Sequence, residues 1–310
     1  MKNLPPKHIL AALLVVLIWG VNFVVIKIGL HGISPLLLCF LRFFLAGFPA
    51  ILFVKRPAVP FLGLAAYGLF NFVGQFIFLF TGMYLGVSAG LASVILQVQV
   101  FITLGLAVFF LHEKPTFSRL IGALVSLSGI GFLALHVGGD ITLRGLFFVL
   151  LAAFSWACGN IVTKRFHNVD VFGLVVWGSA IASVPLFILC FFVDGWASIT
   201  NTVVHLDRYS LFALAYLVYP TTLLGYALWN NLLKHYNAAQ VVPFTLLVPI
   251  FGLASSVIFL HEPIEGWKII ASSLVFLGLL INLFAPRLIA AWRNKKRPDY
   301  RIKPDCSIKR

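Results

Sequence analysis

The run FLHEKPTFSRLIGALVSLSG, residues 110–129, is partly repeated as FLHEPIEGWKIIASSLVFLG, residues 259–278. Four residues are identical at the start, and a similar apolar run follows in both copies at an offset of 149 positions. The same offset pairs Tyr67 with Tyr216 and Leu104 with Leu253. Repetition at a fixed spacing indicates a duplicated structural unit, so these two stretches decide how the rest of the chain is divided.

Composition places the chain in a membrane. The sequence is 61% hydrophobic and 10% charged, with a mean hydropathy of +1.03, far from the balance of a soluble domain. An apolar stretch of about 20 residues crosses the hydrocarbon core as a helix. Ten such stretches are predicted, at residues 8–29, 34–54, 60–84, 88–111, 117–137, 142–164, 171–193, 210–234, 238–260 and 264–286.

The repeat divides these stretches into two sets of five. Before the FLHE runs the offset is 137, as in Trp19 with Trp156 and Lys27 with Lys164, and the longer connection at residues 194–208 absorbs the difference. Because five is odd, the second set enters the membrane from the opposite face. We therefore expect an all-α integral membrane fold of ten transmembrane helices in two inverted five-helix repeats, at residues 8–137 and 142–286, followed by a basic tail at 287–310. Secondary transporters use this architecture.

Charge placement predicts the orientation. If both termini lie inside, the inner segments hold nine Lys and Arg before residue 287 and nine more in the tail. The outer segments hold only Arg144, Arg208 and Lys268 beside five acidic residues, as the positive-inside rule expects. The chain is therefore predicted to be multi-pass, with cytoplasmic termini. The net charge of +14 reflects topology and contact of the tail with anionic lipid headgroups, so no nucleic-acid partner is expected.

Longer runs of sequence resemble a known family. These are WGVNFVVIKIGLHGISPLLLCFLRFFLAGFPAILFVKRPAVP (residues 19–60), GLASVILQVQVFIT and AAFSWACGNIVTK. They resemble the EamA family of the drug/metabolite transporter superfamily, and the likeness extends over residues 10–285. The resemblance implies two inverted repeats in a bacterial inner membrane. It also implies efflux of amino-acid-type metabolites such as cysteine and O-acetylserine.

Polar side chains within the apolar helices are the candidate substrate-binding residues, because lipid offers them no partner. Trp19, Asn22 and Lys27 lie within an arc of about 140° on the first helix, and Trp156, Asn160 and Lys164 within about 80° on the sixth. Both sets can face one cavity. The alternatives are interhelical hydrogen bonding for the Asn residues, interfacial anchoring for the Trp residues and snorkelling for the Lys residues.

Arg42 is the clearest anomaly, because it falls near the middle of the second helix and no carboxylate lies within any predicted span. It must contact substrate, a carbonyl group or an Asn or Gln side chain. Pro243 and Pro249 of the ninth helix are predicted to form a kink or hinge. The remaining candidates are polar residues of the third, fourth and eighth helices: Asn71, Gln75, Gln97, Tyr226 and Asn230. Gln97 and Gln99 point about 200° apart, so one of them is expected to pack.

The sequence lacks carboxylates within its predicted spans and lacks common catalytic motifs, and both absences argue against some functions. All nine Asp and Glu fall in loops or at helix ends, which argues against a proton-coupled exchanger of lipophilic cations. Facilitated efflux and proton antiport both remain open. No H-E-x-x-H, G-x-S-x-G or P-loop pattern occurs, so we expect no enzyme, metal or cofactor. The alternatives are a facilitator for another amino acid or a purine-like metabolite, and a membrane protein that does not transport.

The FLHE glutamates are expected to be structural. Each follows the end of one helix and precedes the next, where a carboxylate favours the N-terminus of the following helix. We therefore expect Glu113 and Glu262 to cap their own hairpins, with a gating role for one of them as the alternative.

The charge asymmetry predicts where reporter fusions should be active. Fusions after Lys55, Lys114, Arg165 and the C-terminus should report the cytoplasm, and fusions near Gly139 and Thr200 the periplasm. Paired alkaline phosphatase and green fluorescent protein fusions measure this, each site serving as the control for its neighbours. Reporters beside His112 and His261 that read the same side would contradict the inverted repeat.

Overall fold

The computed structural model describes residues 5–114, 116–166, 169–236 and 238–295, and within these ranges long helices dominate. We number the long helices in chain order: α1 Pro6–Gly32, α2 Pro35–Ile51, α3 Phe61–Tyr84, α4 Ala89–Leu111, α5 Phe117–Leu135, α6 Leu143–Lys164, α7 Val171–Val193, α8 Arg208–His235, α9 Val242–Leu260 and α10 Gly266–Lys295. Nine of these helices in the described ranges are long and apolar enough to cross a membrane, and α2, at 17 residues, is shorter. The all-helical membrane fold is confirmed, whereas the count of ten spans stays a prediction.

Two segments differ from the sequence-based expectation. The connection between α7 and α8 contains a short helix, Trp196–Val204, where only a loop is predicted. α10 continues through Pro286 to Lys295, so residues 287–295 of the predicted tail are helical. The rest of the predicted tail, residues 296–310, lies outside the described residues.

Short polar side chains begin several of the helices. Ser34 accepts a hydrogen bond from the Leu37 N–H and Ser88 from the Leu91 N–H, at the starts of α2 and α4. Thr142, Asp170 and Asp207 do the same at α6, α7 and α8. These caps satisfy backbone donors that have no partner within the helix, and they fix where each helix begins.

The two FLHE runs form the same turn. His112 follows the last residue of α4 and His261 follows that of α9, and both have left-handed backbones, with φ of 52° and 53°. In each turn the next N–H donates back into the helix over 3.3 Å, from Glu113 to the Ala107 carbonyl and from Glu262 to the Ser256 carbonyl. Both turns therefore place a Glu directly after the left-handed residue that ends the helix.

Irregular backbone also occurs at matching places in the two halves. π-helical turns occupy Leu69–Gly74 within α3 and Leu217–Leu224 within α8. Tight 3₁₀ turns occupy Leu96–Val98 in α4 and Val242–Leu246 at the start of α9. A side-chain hydroxyl donates to a carbonyl group within each π turn. Ser155 donates to the Phe70 carbonyl over 2.8 Å and Thr222 to the Leu217 carbonyl over 2.7 Å.

The helices pack in pairs that match between the halves. α2 packs against α7 and α5 against α10, while α1 packs on α8 and α9 as α6 packs on α3 and α4. Small residues bring α5 and α10 together. A Cβ at Gly122 would lie 2.7 Å from the Gly278 carbonyl oxygen, and one at Gly129 would lie 2.9 Å from the Ala271 carbonyl oxygen. Such close approach of backbones is typical of helix association in membranes.

The α5–α10 crossing predicts the effect of a bulky residue. Gly122→Leu must separate the two helices, so we expect a loss of about 1–3 kcal/mol or more and a lower melting temperature in detergent. Gly131→Leu on the same helix is the matched control, because a Cβ there has no neighbour within 4 Å. Equal melting temperatures for the two variants would contradict the close crossing.

Candidate functional site

The candidate site lies where the π turn of α8 meets α1 and α2. Two adjacent residues of that turn, Thr221 and Thr222, receive hydrogen bonds from the two helices. The Trp19 indole N–H of α1 donates to the Thr221 carbonyl over 3.2 Å. The Arg42 Nε–H of α2 donates to the Thr222 hydroxyl over 3.2 Å. The irregular backbone thus brings two of the predicted residues together.

Arg42 is buried, with 1% of its surface exposed. Its guanidinium carbon lies 4.3 Å from the centre of the Phe76 ring and 5.3 Å from that of Phe43, so aromatic faces stabilise the charge. Within the described ranges its Nη1 has no hydrogen-bond partner. For Arg42 the sequence predicts a carbonyl, Asn, Gln or substrate partner. The structure instead provides a threonine hydroxyl and two aromatic rings, and Nη1 is the donor group that these do not satisfy.

Trp19 forms an aromatic wall beside this position. Its ring lies 5.4 Å from the Tyr226 ring and 5.3 Å from the Trp229 ring. A Cβ at Gly225 would lie 2.7 Å from the indole nitrogen, so the absence of a side chain there makes room for Trp19. Trp19 and Tyr226 therefore lie in one cluster, as a shared cavity requires.

Asn22 lies one helical turn beyond Trp19 and is buried. Its Oδ1 has no hydrogen-bond partner among the described residues, and the same holds for the hydroxyl of Thr221. A buried polar atom without a partner costs about 1–3 kcal/mol, so such atoms are expected where a ligand or water supplies the partner. Arg42, Asn22 and Thr221 thus each carry a buried polar atom that has no hydrogen-bond partner among the described residues.

Other predicted residues make contacts within the protein. Asn71 donates to the Tyr67 carbonyl over 3.2 Å and lies directly over Gly159 of α6. Gln75 and Gln97 are buried, and Trp156 is half-buried against the core. Lys27 donates to the Met83 carbonyl over 3.0 Å, at the end of α3.

Asn160 differs from its counterpart Asn22. Its Nδ2 donates to Gln99 Oε1 over 2.9 Å and to the Thr103 hydroxyl over 3.2 Å, linking α6 to α4. Of the two glutamines of α4, Gln99 therefore makes the interhelical contact. The structure supplies a packing partner for Asn160, and none among the described residues for Asn22 Oδ1.

Asn230 is drawn toward the beginning of α7, where its Nδ2 donates to Asp170 Oδ1 over 2.7 Å. Lys234 lies 3.3 Å from the same oxygen. Burial alone would raise the pKa of Asp170, but hydrogen bonds from Asn230, Lys234 and the Gly173 N–H hold it below its ordinary value. Asp170 is therefore a carboxylate at neutral pH, and it ties α8 to α7.

The two predicted hinge prolines lie at the start of α9. Pro243 falls within the 3₁₀ turn Val242–Leu246, and Pro249 is buried in the α-helical part that follows. The backbone changes from 3₁₀ to α-helical between them, as expected where two N–H groups are missing. A hinge at this position stays a prediction.

Sequence reasoning missed Thr221 and Thr222. The signal was present, because Pro220 interrupts the hydrogen bonding of an apolar helix and two hydroxyl-bearing residues follow at once. The expectation for the FLHE glutamates was wrong. Glu262 accepts hydrogen bonds from Ala89 and Gly90 at the start of α4, and Glu113 pairs with Lys164 at the end of α6. Each Glu reaches a helix of the other half rather than its own hairpin.

Comparisons with known proteins bear on these features. The sequence model of the EamA-like transporter family matches the chain twice, over residues 6–135 and 143–284. A probable amino-acid metabolite efflux pump of Salmonella typhimurium is 42% identical over 89% of this chain and 95% of its own length. A protein of the same description from Escherichia coli is 42% identical over 91% of this chain and 95% of its own length.

More distant proteins also match, one by sequence and one by structure. An uncharacterized transporter of Bacillus subtilis is 26% identical over 90% of this chain and 97% of its own length. A solved crystal structure superimposes with a TM-score of 0.63 at 20% identity, covering 91% of this chain and 98% of that chain. At that identity the likeness shows a shared fold and no more.

The different surroundings of the two asparagines predict different outcomes for one substitution. Asn160→Leu removes an interhelical hydrogen bond worth about 0.6–1.7 kcal/mol in a membrane protein, so its melting temperature in detergent should fall by a few degrees at most. Asn22→Leu removes an unpaired buried oxygen, so its melting temperature should equal or exceed that of the wild type. The two variants serve as controls for each other. A larger fall for Asn22→Leu would contradict this assignment.

Proposed function

Because this chain belongs to the EamA-like transporter family, we propose that it is a secondary transporter that exports small amino-acid-type metabolites from the cell. Cysteine and O-acetylserine are the first candidate substrates. Transport proceeds by alternating access between two inverted repeats, residues 8–137 and 142–286, in the inner membrane, with both termini in the cytoplasm. The family, and the two relatives described as probable amino-acid metabolite efflux pumps, support transport rather than enzymatic activity.

The unpaired Nη1 of the buried Arg42 is the observation that supports this proposal most. The carboxylate of an amino acid is an acceptor of matching charge, and a guanidinium held in place by a hydroxyl and two rings is ready to bind it. The Phe76 and Phe43 rings keep the guanidinium charge in position without neutralising it. Arg42 therefore serves as the substrate-carboxylate group of the site.

The groups around Arg42 suit the rest of such a substrate. Asn22 Oδ1 is an acceptor and fits an ammonium group, while the Thr221 hydroxyl can donate or accept. The Trp19 and Tyr226 rings provide an apolar wall for a short side chain. A small zwitterion satisfies all three unpaired groups, whereas a lipophilic cation leaves Arg42 unpaired and meets like charge.

The proposal predicts counterflow in proteoliposomes. Vesicles containing the purified protein and unlabelled cysteine or O-acetylserine should accumulate the labelled compound transiently, and empty vesicles should not. A panel of other amino acids and purines run in parallel identifies a different substrate. Absence of counterflow with every compound would contradict the proposed function.

Within the same assay, Arg42→Gln should lower the apparent affinity for substrate by about ten- to hundredfold, because a hydrogen bond between charged groups is lost. Arg208→Gln is the matched control, since that arginine is exposed near the start of α8 and contacts Tyr209. Melting temperatures of both variants separate lost binding from lost folding. Unchanged affinity in a folded Arg42→Gln protein would exclude Arg42 from the site.

A further inference from the structure

The two FLHE turns share one backbone conformation, but their carboxylates have different partners. Glu262 accepts the Ala89 N–H over 2.7 Å through one oxygen and the Gly90 N–H over 3.1 Å through the other. Glu113 pairs with the Lys164 ammonium over 3.0 Å, and both side chains are 43% exposed. The difference therefore arises from what each turn faces and not from the turns themselves.

The Glu262 contact joins the two halves at one membrane face. Its carboxylate binds the first two N–H groups of α4, where the helix dipole favours a negative charge. α9 lies directly against α4 beside it. A Cβ at Gly90 would lie 2.6 Å from the Ser256 hydroxyl, and one at Gly252 would lie 2.4 Å from the Ser93 hydroxyl. At this face α4 and α9 are in direct contact.

The opposite face is arranged differently. The second half of α4, Gln99–Leu111, packs on α6, and the first turn of α9, Val242–Leu246, packs on α1 and α10. Cavities lie at both faces, one of about 260 Å³ beside Thr103 and the Glu113–Lys164 pair and one of about 580 Å³ beside Ser88 and Glu262, so the packing of α4 and α9 is what distinguishes the faces. The offset of 149 gives Ala238 and Ala239, in the helical turn before α9, as the counterparts of Ala89 and Gly90.

Two lysines also occupy corresponding positions in the two halves. Lys27 is the counterpart of Lys164 at the offset of 137, and it donates to the Met83 carbonyl. Glu262 and Asp140 are the carboxylates that act on its charge. Each Glu thus has the same two kinds of possible partner. One is the pair of N–H groups at the start of a helix in the other half, and the other is a lysine.

We propose that Glu113 and Glu262 are alternating carboxylate latches of the transport cycle, an inference that rests on the proposed function. At the closed face the Glu binds the helix start of the other half, and at the open face the lysine holds it. The structure has Glu262 latched and Glu113 held by Lys164. In the opposite state Glu113 binds the N–H groups of Ala238 and Ala239, and Lys27 holds Glu262.

The relative strength of the two contacts gives opposite effects for the same substitution. A cap made by a carboxylate on two backbone N–H groups is worth more than a half-exposed ion pair. Glu262→Gln therefore weakens the observed state more than the opposite one, and Glu113→Gln does the reverse. The ratio of the two states should change roughly 2- to 30-fold in opposite directions.

Thiol labelling measures this ratio. Ser93→Cys reports the Glu262 face and Thr103→Cys reports the Glu113 face, both on α4. The background is a transporting variant in which four residues are replaced by Ala: Cys39, Cys158, Cys190 and Cys306. Glu262→Gln should speed the labelling of the Ser93→Cys reporter with a water-soluble methanethiosulfonate and slow that of the Thr103→Cys reporter. Glu113→Gln should produce the opposite pair of changes.

Glu265→Gln is the matched control, because Glu265 lies three residues from Glu262, is exposed and bonds to Trp267. It should leave both labelling rates unchanged. Labelling rates that stay constant, or that change in the same direction for Glu113→Gln and Glu262→Gln, would contradict the latch proposal. A carboxylate with a purely structural role changes stability, but it does not change the labelling rates of the two reporters in opposite directions.

Lys164→Met keeps the proposal testable if a Gln variant fails to fold. Releasing Glu113 from its lysine favours the opposite state, so the Ser93→Cys reporter should label faster, as with Glu262→Gln, and no change would contradict the latches. Counterflow separates the two hypotheses. Wild-type protein without counterflow contradicts the proposed function, whereas normal counterflow with unresponsive reporters contradicts only the latches.

Discussion

A polar group inside the bilayer must find its partner within the protein, and the rest of this structure depends on that constraint. Regular helices satisfy it for the backbone. Where α3 and α8 depart from regular helix, Ser155 and Thr222 donate to the carbonyl groups of Phe70 and Leu217. In α3 the donor comes from another helix, α6, and in α8 it comes from the π turn itself. Among the described residues, Arg42, Asn22 and Thr221 keep buried polar atoms without a partner, and in the proposed function these atoms bind the substrate.

The sequence predicts the long helices to within a few residues, except at the end of α10, because about 20 consecutive apolar residues have one stable conformation in lipid. It does not predict the π turns, since an extra residue in a helical turn leaves the hydropathy unchanged. It finds Arg42 but not Thr222, because the cost of burying a charge is visible in one residue whereas its partner lies 180 positions away. The partners of Glu113 and Glu262 were missed for the same reason.

Equivalent residues in the two halves have different surroundings. Asn160 is bonded to Gln99, while the Oδ1 of Asn22 has no partner in the described part of the chain. Glu262 binds backbone and Glu113 binds a lysine. The proposed exchange of roles between the halves requires such differences in any single state, because identical surroundings would make both faces equally open. Sequence symmetry therefore indicates which residues to compare, and the structure shows which of each pair is engaged.

α10 is longer than a bilayer requires. Its first 21 residues, Gly266–Pro286, reach about 31 Å at 1.5 Å per residue, which matches the hydrocarbon core, and the helix continues for nine more to Lys295. The last part therefore extends about 13 Å past that length as a helical rod, with Pro286 near its base. A domain joined directly to this rod would share the tilt of α10. Rocking of the second half would then be carried beyond the membrane surface as a rotation, with an amplitude that grows with distance from the bilayer.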